Sequence, residues 1–276
     1  MARPDLKTSA RFLKSQLRNR TTTVASFDGV GIAYEDWGTA GGRGPVVLNH
    51  GFAVDSRVNW YAPGIVDRLT KAGYRVIGID ARGHGRSDKP HDVAAYGEDA
   101  MARDVVAVLD ELGFERVDLV GYSMGAVVSA LVAATDSRVE ALVLGGVGRS
   151  LVDTGTLATG PMSNEDIAEA LLSEDPAVTS QPEVASFRML ADFIKADRTA
   201  LAAVARSARS GPLPLDRITA RTLVLAGSDD SLADGAEVLA EAIPDARAVT
   251  VPGDHLGAVA QGAFIETMLE FLDEDG

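Results

Sequence analysis

The chain of 276 residues contains no cysteine. Disulfides, thiolate metal centres and a thiol nucleophile are therefore excluded. Histidine is scarce: the chain holds four, His50, His84, His91 and His255. No two are spaced as H-x-x-x-H or H-E-x-x-H, so no histidine zinc motif is present and no metal or organic cofactor is expected. Long apolar runs are missing too. Nothing approaches the roughly 20 residues of a membrane-spanning helix. The longest apolar run in residues 1–20 is Phe12-Leu13, too short for a secretory signal core, so a cytoplasmic location is expected. Positive charge is in deficit, with a formal net charge of -14. That sign repels nucleic-acid backbones and anionic membrane surfaces, and neither is an expected partner.

What the chain does have is an ordinary globular balance, 46% hydrophobic and 24% charged residues. Its length suits one large α/β domain or two small ones, and no flexible linker or repeat divides it. Residues 1–20 differ from the rest: six basic side chains stand against Asp5, a local balance of +5 that leaves about -19 elsewhere. Leu6, Phe12, Leu13 and Leu17 suggest a short amphipathic helix there. Two β-rich stretches, 22–27 and 30–36, flank Asp28-Gly29, a hairpin signal. From residue 45 onward strands and helices alternate: strands at 45–49, 74–80, 117–120 and 139–144, helices at 60–72 and 98–112. Such alternation predicts a parallel sheet covered on both faces. It breaks between 149 and 216, where prolines are frequent and helices are expected at 165–172, 183–195 and 198–209. It resumes with strands at 222–226 and 246–251 and helices at 233–242 and 258–272.

The stretch 116–134 reads RVDLVGYSMGAVVSALVAA: a short strand, Gly121-Tyr122-Ser123-Met124-Gly125, then a helix. Glycines two before and two after Ser123 fit a turn so tight that a Cβ at either position would clash. Ser123 is then strained at the tip, at a cost of about 1–3 kcal/mol, an arrangement that presents its hydroxyl. In open α/β sheets functional groups gather past the carboxyl ends of strands. Three further strands are followed there by His50-Gly51-Phe52, Gly227-Ser228-Asp229-Asp230 and Pro252-Gly253-Asp254-His255. Serine, acid and histidine thus occur in that order.

Residues 30–150 and 218–272 together resemble the α/β-hydrolase superfamily, particularly its esterase and lipase branch. The matching pieces are HGF at 50–52, DARGHGRSDKP at 80–90, GYSMG at 121–125, LVLAGSDD at 223–230 and GDH at 253–255. The resemblance implies a mostly parallel eight-stranded sheet with helices on both faces, a core of residues 21–148 and 217–276, and a helical cap at 149–216 inserted after strand six. It makes Ser123 the nucleophile and His255 the general base. Asp230 is the acid, by its place three residues after the glycine closing the seventh strand, with the adjacent Asp229 as the alternative. The backbone N–H groups of Phe52 and Met124 become the oxyanion donors. His50 and His84 belong to structural turns, and His91 stands in a loop without a motif. Asp254 departs from the family, which usually has glycine before the histidine; a carboxylate there either raises the histidine's proton affinity or points to solvent.

Candidate substrate contacts are Phe52, Tyr122, Met162, Phe187, Leu190 and Phe193, with Leu171, Leu172 and Met189 as further positions on the insertion; any of these insertion residues serves equally well as cap core. The expected activity is hydrolysis of small to medium carboxylic esters through an acyl-enzyme, the partner being the small-molecule ester. The same triad also suits carbon–carbon bond hydrolysis, lactone hydrolysis or cofactor-free perhydrolysis, and a receptor that keeps the fold is the alternative from another class. The oligomeric state, including a homo-oligomer, is left open.

Overall fold

Successive residues of a strand point to opposite faces. In the strand that leads to Ser123 both faces are buried: Val117 and Leu119 pack on one side of the sheet, Val120 and Tyr122 on the other. Two-sided burial is why such strands read as continuous apolar runs instead of alternating ones. The structure, a computed structural model, describes residues 21–38, 42–156, 163–175, 179, 181–207 and 211–274. The N-terminal helix expected at 1–20 lies outside them.

The strands are β1 (Thr21–Ala25), β2 (Gly31–Asp36), β3 (Pro45–Asn49), β4 (Arg75–Ile79), β5 (Val117–Tyr122), β6 (Val139–Gly145), β7 (Arg221–Gly227) and β8 (Ala246–Val251). They form one sheet of eight in the order β1-β2-β4-β3-β5-β6-β7-β8. β1–β2 and β2–β4 are antiparallel and the remaining pairs parallel. The Asp28-Gly29 signal does close a hairpin: Ser26 N–H donates to Val30 O at 2.9 Å and Gly29 takes φ 86°.

The helices are α1 (Ile65–Lys71), α2 (Glu98–Glu111), α3 (Met124–Ala133), α4 (Ser150–Asp153), α5 (Asn164–Leu172), α6 (Pro182–Phe193), α7 (Arg198–Arg206), α8 (Ala236–Glu241) and α9 (Gly262–Asp273). α2, α3 and α8 bury Val105, Leu109, Val127, Leu131 and Leu239 on one face of the sheet. α1 and α9 bury Ile65, Leu69, Phe264 and Met268 on the other. The helix expected over 60–72 is interrupted: a π-helical turn, Arg57–Tyr61, precedes α1. Pro63 has no N–H to donate and Gly64 turns the backbone to φ 87°, so helical bonding restarts at Ile65. The helix expected over 258–272 splits likewise, into a 3₁₀ turn at Ala258–Ala260 and α9, with the extended Gln261 between them.

The insertion between β6 and β7 contributes α4 to α7. α5 begins with a capping box in which the Ser163 side chain accepts Asp166 N–H and Asp166 accepts Ser163 N–H. α6 has Pro182 in its first turn, and α7 is capped by Asp197, whose side chain accepts Ala200 N–H. Ile167, Leu171, Val184, Phe187, Ala191 and Leu201 form a separate core that also takes in Ala53 from the body of the protein. The insertion therefore packs directly on the turn after β3. That turn lies where the strand order reverses: β4 follows β3 on one side while β5 takes the other, and the crevice between β3 and β5 is where such sheets bind ligands.

Candidate active site

Asn49 at the end of β3 is in register with Gly121 of β5, so the residues that follow them face each other across the crevice. Ser123 adopts φ 54° and ψ -119°, a strained backbone that costs on the order of 1–3 kcal/mol. Its surroundings hold it there: Ser123 N–H donates to Gly145 O at 2.8 Å, and Ala126 N–H donates to Ser123 O at 2.9 Å. The two glycines are forced. A Cβ on Gly121 would stand 2.3 Å from Gly125 O, and one on Gly125 would stand 2.1 Å from Asn49 O.

Ser123 Oγ lies 3.0 Å from His255 Nε2, and His255 Nδ1 lies 2.9 and 3.0 Å from the two carboxylate oxygens of Asp230. A carboxylate only accepts, so Nδ1 carries the proton and Nε2 is left to accept from the Ser123 hydroxyl. Asp230 also accepts Leu232 N–H at 3.0 Å and is 3% exposed. Asp229 points outward and accepts from the Ser228 hydroxyl at 3.1 Å. Asp254 is exposed and caps its own loop, its carboxylate accepting Leu256 N–H and Gly257 N–H. Of its two expected placements, the solvent-facing one is the placement found. Tyr122 donates its hydroxyl to His255 O at 2.8 Å, tying the histidine loop to β5; burial, with the charges of Asp230 and Asp254, pushes this phenol well above its ordinary range.

Neither Phe52 N–H nor Met124 N–H donates to an acceptor among the described residues. Met124 opens α3, where an N–H has no intrahelical partner and the helix field favours negative charge. The remaining histidines are structural. His50 spans Gly51 O and Ala81 N–H, while His84 is fully enclosed and held neutral by burial, its pKa lowered to about 3. His91 pairs with Asp197 at 2.9 Å and links the loop after β4 to the first turn of α7. Among the described residues, no three His, Asp or Glu side chains gather as metal ligands. None of their helices is long and apolar enough to cross a membrane.

A cleft of about 110 Å³ opens beside Ser123 and His255. Phe52, Tyr122, Phe187 and Leu190 line it as expected. Phe193 does not: it is 79% exposed at the end of α6. Met189 is also exposed, Leu171 is buried in the insertion core, Leu172 faces outward, and Met162 lies outside the described residues. Residues not anticipated are Val54, Val58 and Asn59 after the HGF turn and Leu256 and Val259 after His255. Their one signal in the sequence was closeness to those motifs. A second hollow of about 210 Å³, which shares Phe187, His255 and Leu256 with the first, carries Glu183, Asp229 and Asp254.

A family model described as alpha/beta hydrolase fold matches residues 44–166. A solved structure of a hydrolase from Pseudomonas aeruginosa PA01 is 30% identical, covering 93% of this chain and 99% of its own, with a TM-score of 0.75. The chain belongs to the alpha/beta-hydrolase family. Within it, an esterase from Exiguobacterium antarcticum superposes with a TM-score of 0.75 at 25% identity, over 92% of this chain and 100% of that one. A non-heme chloroperoxidase of Streptomyces lividans is 40% identical over 106 residues, 37% of this chain and 35% of the relative's length. The chain thus matches about a third of the length of that curated relative.

Proposed function

We infer that this alpha/beta hydrolase is a serine carboxylesterase acting on small to medium esters. The observation that carries the reading is the unbroken path from the Ser123 hydroxyl through His255 to the buried Asp230. A serine hydroxyl is nearly inert at neutral pH, and an acceptor at 3.0 Å removes its proton as it attacks. In this reading Ser123 Oγ adds to the ester carbonyl while His255 Nε2 takes the proton and Asp230 stabilises the imidazolium. The tetrahedral oxyanion is held by Phe52 N–H and Met124 N–H, donors of a kind worth about 2.7–4 kcal/mol each. His255 then returns the proton to the departing alcohol. Water, deprotonated by the same nitrogen, releases the acid and restores Ser123. The insertion acts as the cap, with Phe187 and Leu190 bounding the acyl group.

The test is a p-nitrophenyl ester series from acetyl to octanoyl on wild type and Ser123→Ala. Wild type is expected to prefer the shorter chains, and the variant to lose at least about 10³-fold in kcat. Equal rates for the two proteins refute the reading. The resemblance to a chloroperoxidase favours one second reading, perhydrolysis, in which hydrogen peroxide replaces water in attacking the acyl-enzyme and a peracid leaves. Peracid formed from ester and peroxide by wild type but not by Ser123→Ala would establish it.

A further inference from the structure

The turn that carries Phe52 is gripped at the residue on each side. Gly51 N–H donates to Asn59 Oδ1 at 2.9 Å, and Ala53 N–H donates to His84 Nε2 at 3.3 Å. Of three consecutive N–H groups, side chains occupy the outer two, and the middle one, on a turn that lines the cleft beside Ser123, makes no hydrogen bond among the described residues. Both acceptors are buried, Asn59 at 6% and His84 at 2% exposure. The grip is needed because Ala53 sits at φ 59°, a region that costs a non-glycine residue about 1–3 kcal/mol.

The chemistry of each acceptor is settled by its neighbours. His84 Nδ1 lies 3.1 Å from Arg82 O, which only accepts, so that nitrogen holds the proton and Nε2 is free to receive Ala53 N–H. Arg82 is itself anchored on Asp104 and Asp28, so the imidazole is fixed to the body of the protein. At Asn59 the carboxamide must turn its oxygen to Gly51, and its Nδ2 is left buried with no partner among the described residues. An unsatisfied buried N–H group costs about 1–3 kcal/mol, so Asn59 is a poor choice for stability alone. The bond it makes through Oδ1 is the contribution that remains.

We propose that Asn59 and His84 are positioning residues that together aim the Phe52 N–H at the oxyanion, a role that rests on the hydrolase reading above. The test uses Asn59→Leu and His84→Leu, which remove the acceptors at similar volume, and His84→Gln, whose amide oxygen stands near the place of Nε2. Turnover of p-nitrophenyl butyrate and binding of a phenylboronic acid, which forms a tetrahedral adduct on Ser123, are measured for each, with folding checked by circular dichroism. Both leucine variants should lose at least about tenfold in kcat with KM changed less than about threefold, and boronate affinity should fall by a similar factor. His84→Gln should recover to within about threefold of wild type. Folded leucine variants with wild-type kcat and boronate affinity, or a glutamine variant as impaired as His84→Leu, overturn the proposal. If Asn59→Leu does not fold, the His84 pair decides. Absence of Ser123-dependent hydrolysis in wild type refutes the esterase reading instead, and the boronate ratios still report on the grip.

Discussion

His255 Nδ1 stands 2.9 Å from Asp230, while Asp229, one residue earlier, turns its carboxylate away to solvent. The two acids are parted by the local turn: Asp230 caps the 3₁₀ turn Ser231–Ala233 through Leu232 N–H, and that bond faces its side chain inward. Asp230→Asn should lower kcat by about 10⁴-fold through loss of the correct imidazole tautomer. Asp229→Asn should stay within about threefold. Steady-state kinetics of the two variants decide between the acids, and equal losses would contradict the assignment.

Gly125→Ala places a Cβ 2.1 Å from the Asn49 carbonyl oxygen, a backbone atom with nowhere to retreat inside the sheet. The expected cost is about 3 kcal/mol or more. Thermal unfolding and soluble yield measure it; an alanine variant with wild-type melting and activity would show that strand and helix are not in the contact described.

Phe187 comes from the insertion and meets the Phe52 ring at 5.5 Å between centroids, and both rings line the cleft beside Ser123. Phe187→Ala should therefore enlarge the acyl side. The ratio of kcat/KM for octanoyl over butyryl esters is expected to rise about 10-fold or more, the scale of a few methylenes in an apolar pocket. An unchanged ratio would place the acyl chain elsewhere.

Arg82 is fully buried and binds Asp104 through two nitrogens and Asp28 through a third contact. Asp104 also accepts the Ser26 hydroxyl at 2.5 Å, so one guanidinium joins the hairpin, the turn after β4 and α2. Replacing Arg82 by Met leaves Asp104 buried and uncompensated. Loss of about 3–5 kcal/mol is expected from urea unfolding.

Asp118 on β5 is held at the foot of the sheet, and burial raises its carboxyl pKa to about 6. Between the unfolded value near 4 and this folded one, the native state binds the extra proton. Its contribution to stability is thus fully present below about pH 4 and lost as pH rises through 6. Asp118→Asn, neutral throughout, should be more stable than wild type at pH 7–8 by up to about 3 kcal/mol, with the advantage gone near pH 4. Urea midpoints across this range test the sign, and a variant less stable at pH 8 would contradict it.

Much of the site was legible because its constraints are local. A glycine on either side of Ser123, a strand before and a helix after specify one sharp turn, and the backbone distances at Gly121 and Gly125 leave no other residue room. The alternation of apolar runs likewise announced a sheet buried on both faces. The pocket was less legible. Phe187 and Phe193 look alike in sequence on one amphipathic helix, yet Phe187 meets Phe52 while Phe193 points outward. Six residues apart on a helix, their side chains point about 120° apart around its axis, and only packing against the body selects which of them faces the cleft.

By itself, the sequence determined the elements, their order, the strained serine and the set of residues standing past strand ends. It ranked Asp230 over Asp229 and His255 over the other three histidines by motif and position alone, without the contacts that each side chain makes. Those contacts belong to tertiary structure, because hydrogen bonds between residues more than a hundred positions apart, such as Ser123 to His255, depend on strand order and on the turn that aims each side chain. Asn59 and His84 show the same physics. Asn59 stands only seven residues past Phe52, but neither it nor His84 carries a sign in the chain of which N–H it accepts, and their grip on the turn exists only where β3, β4 and the π-helical turn meet.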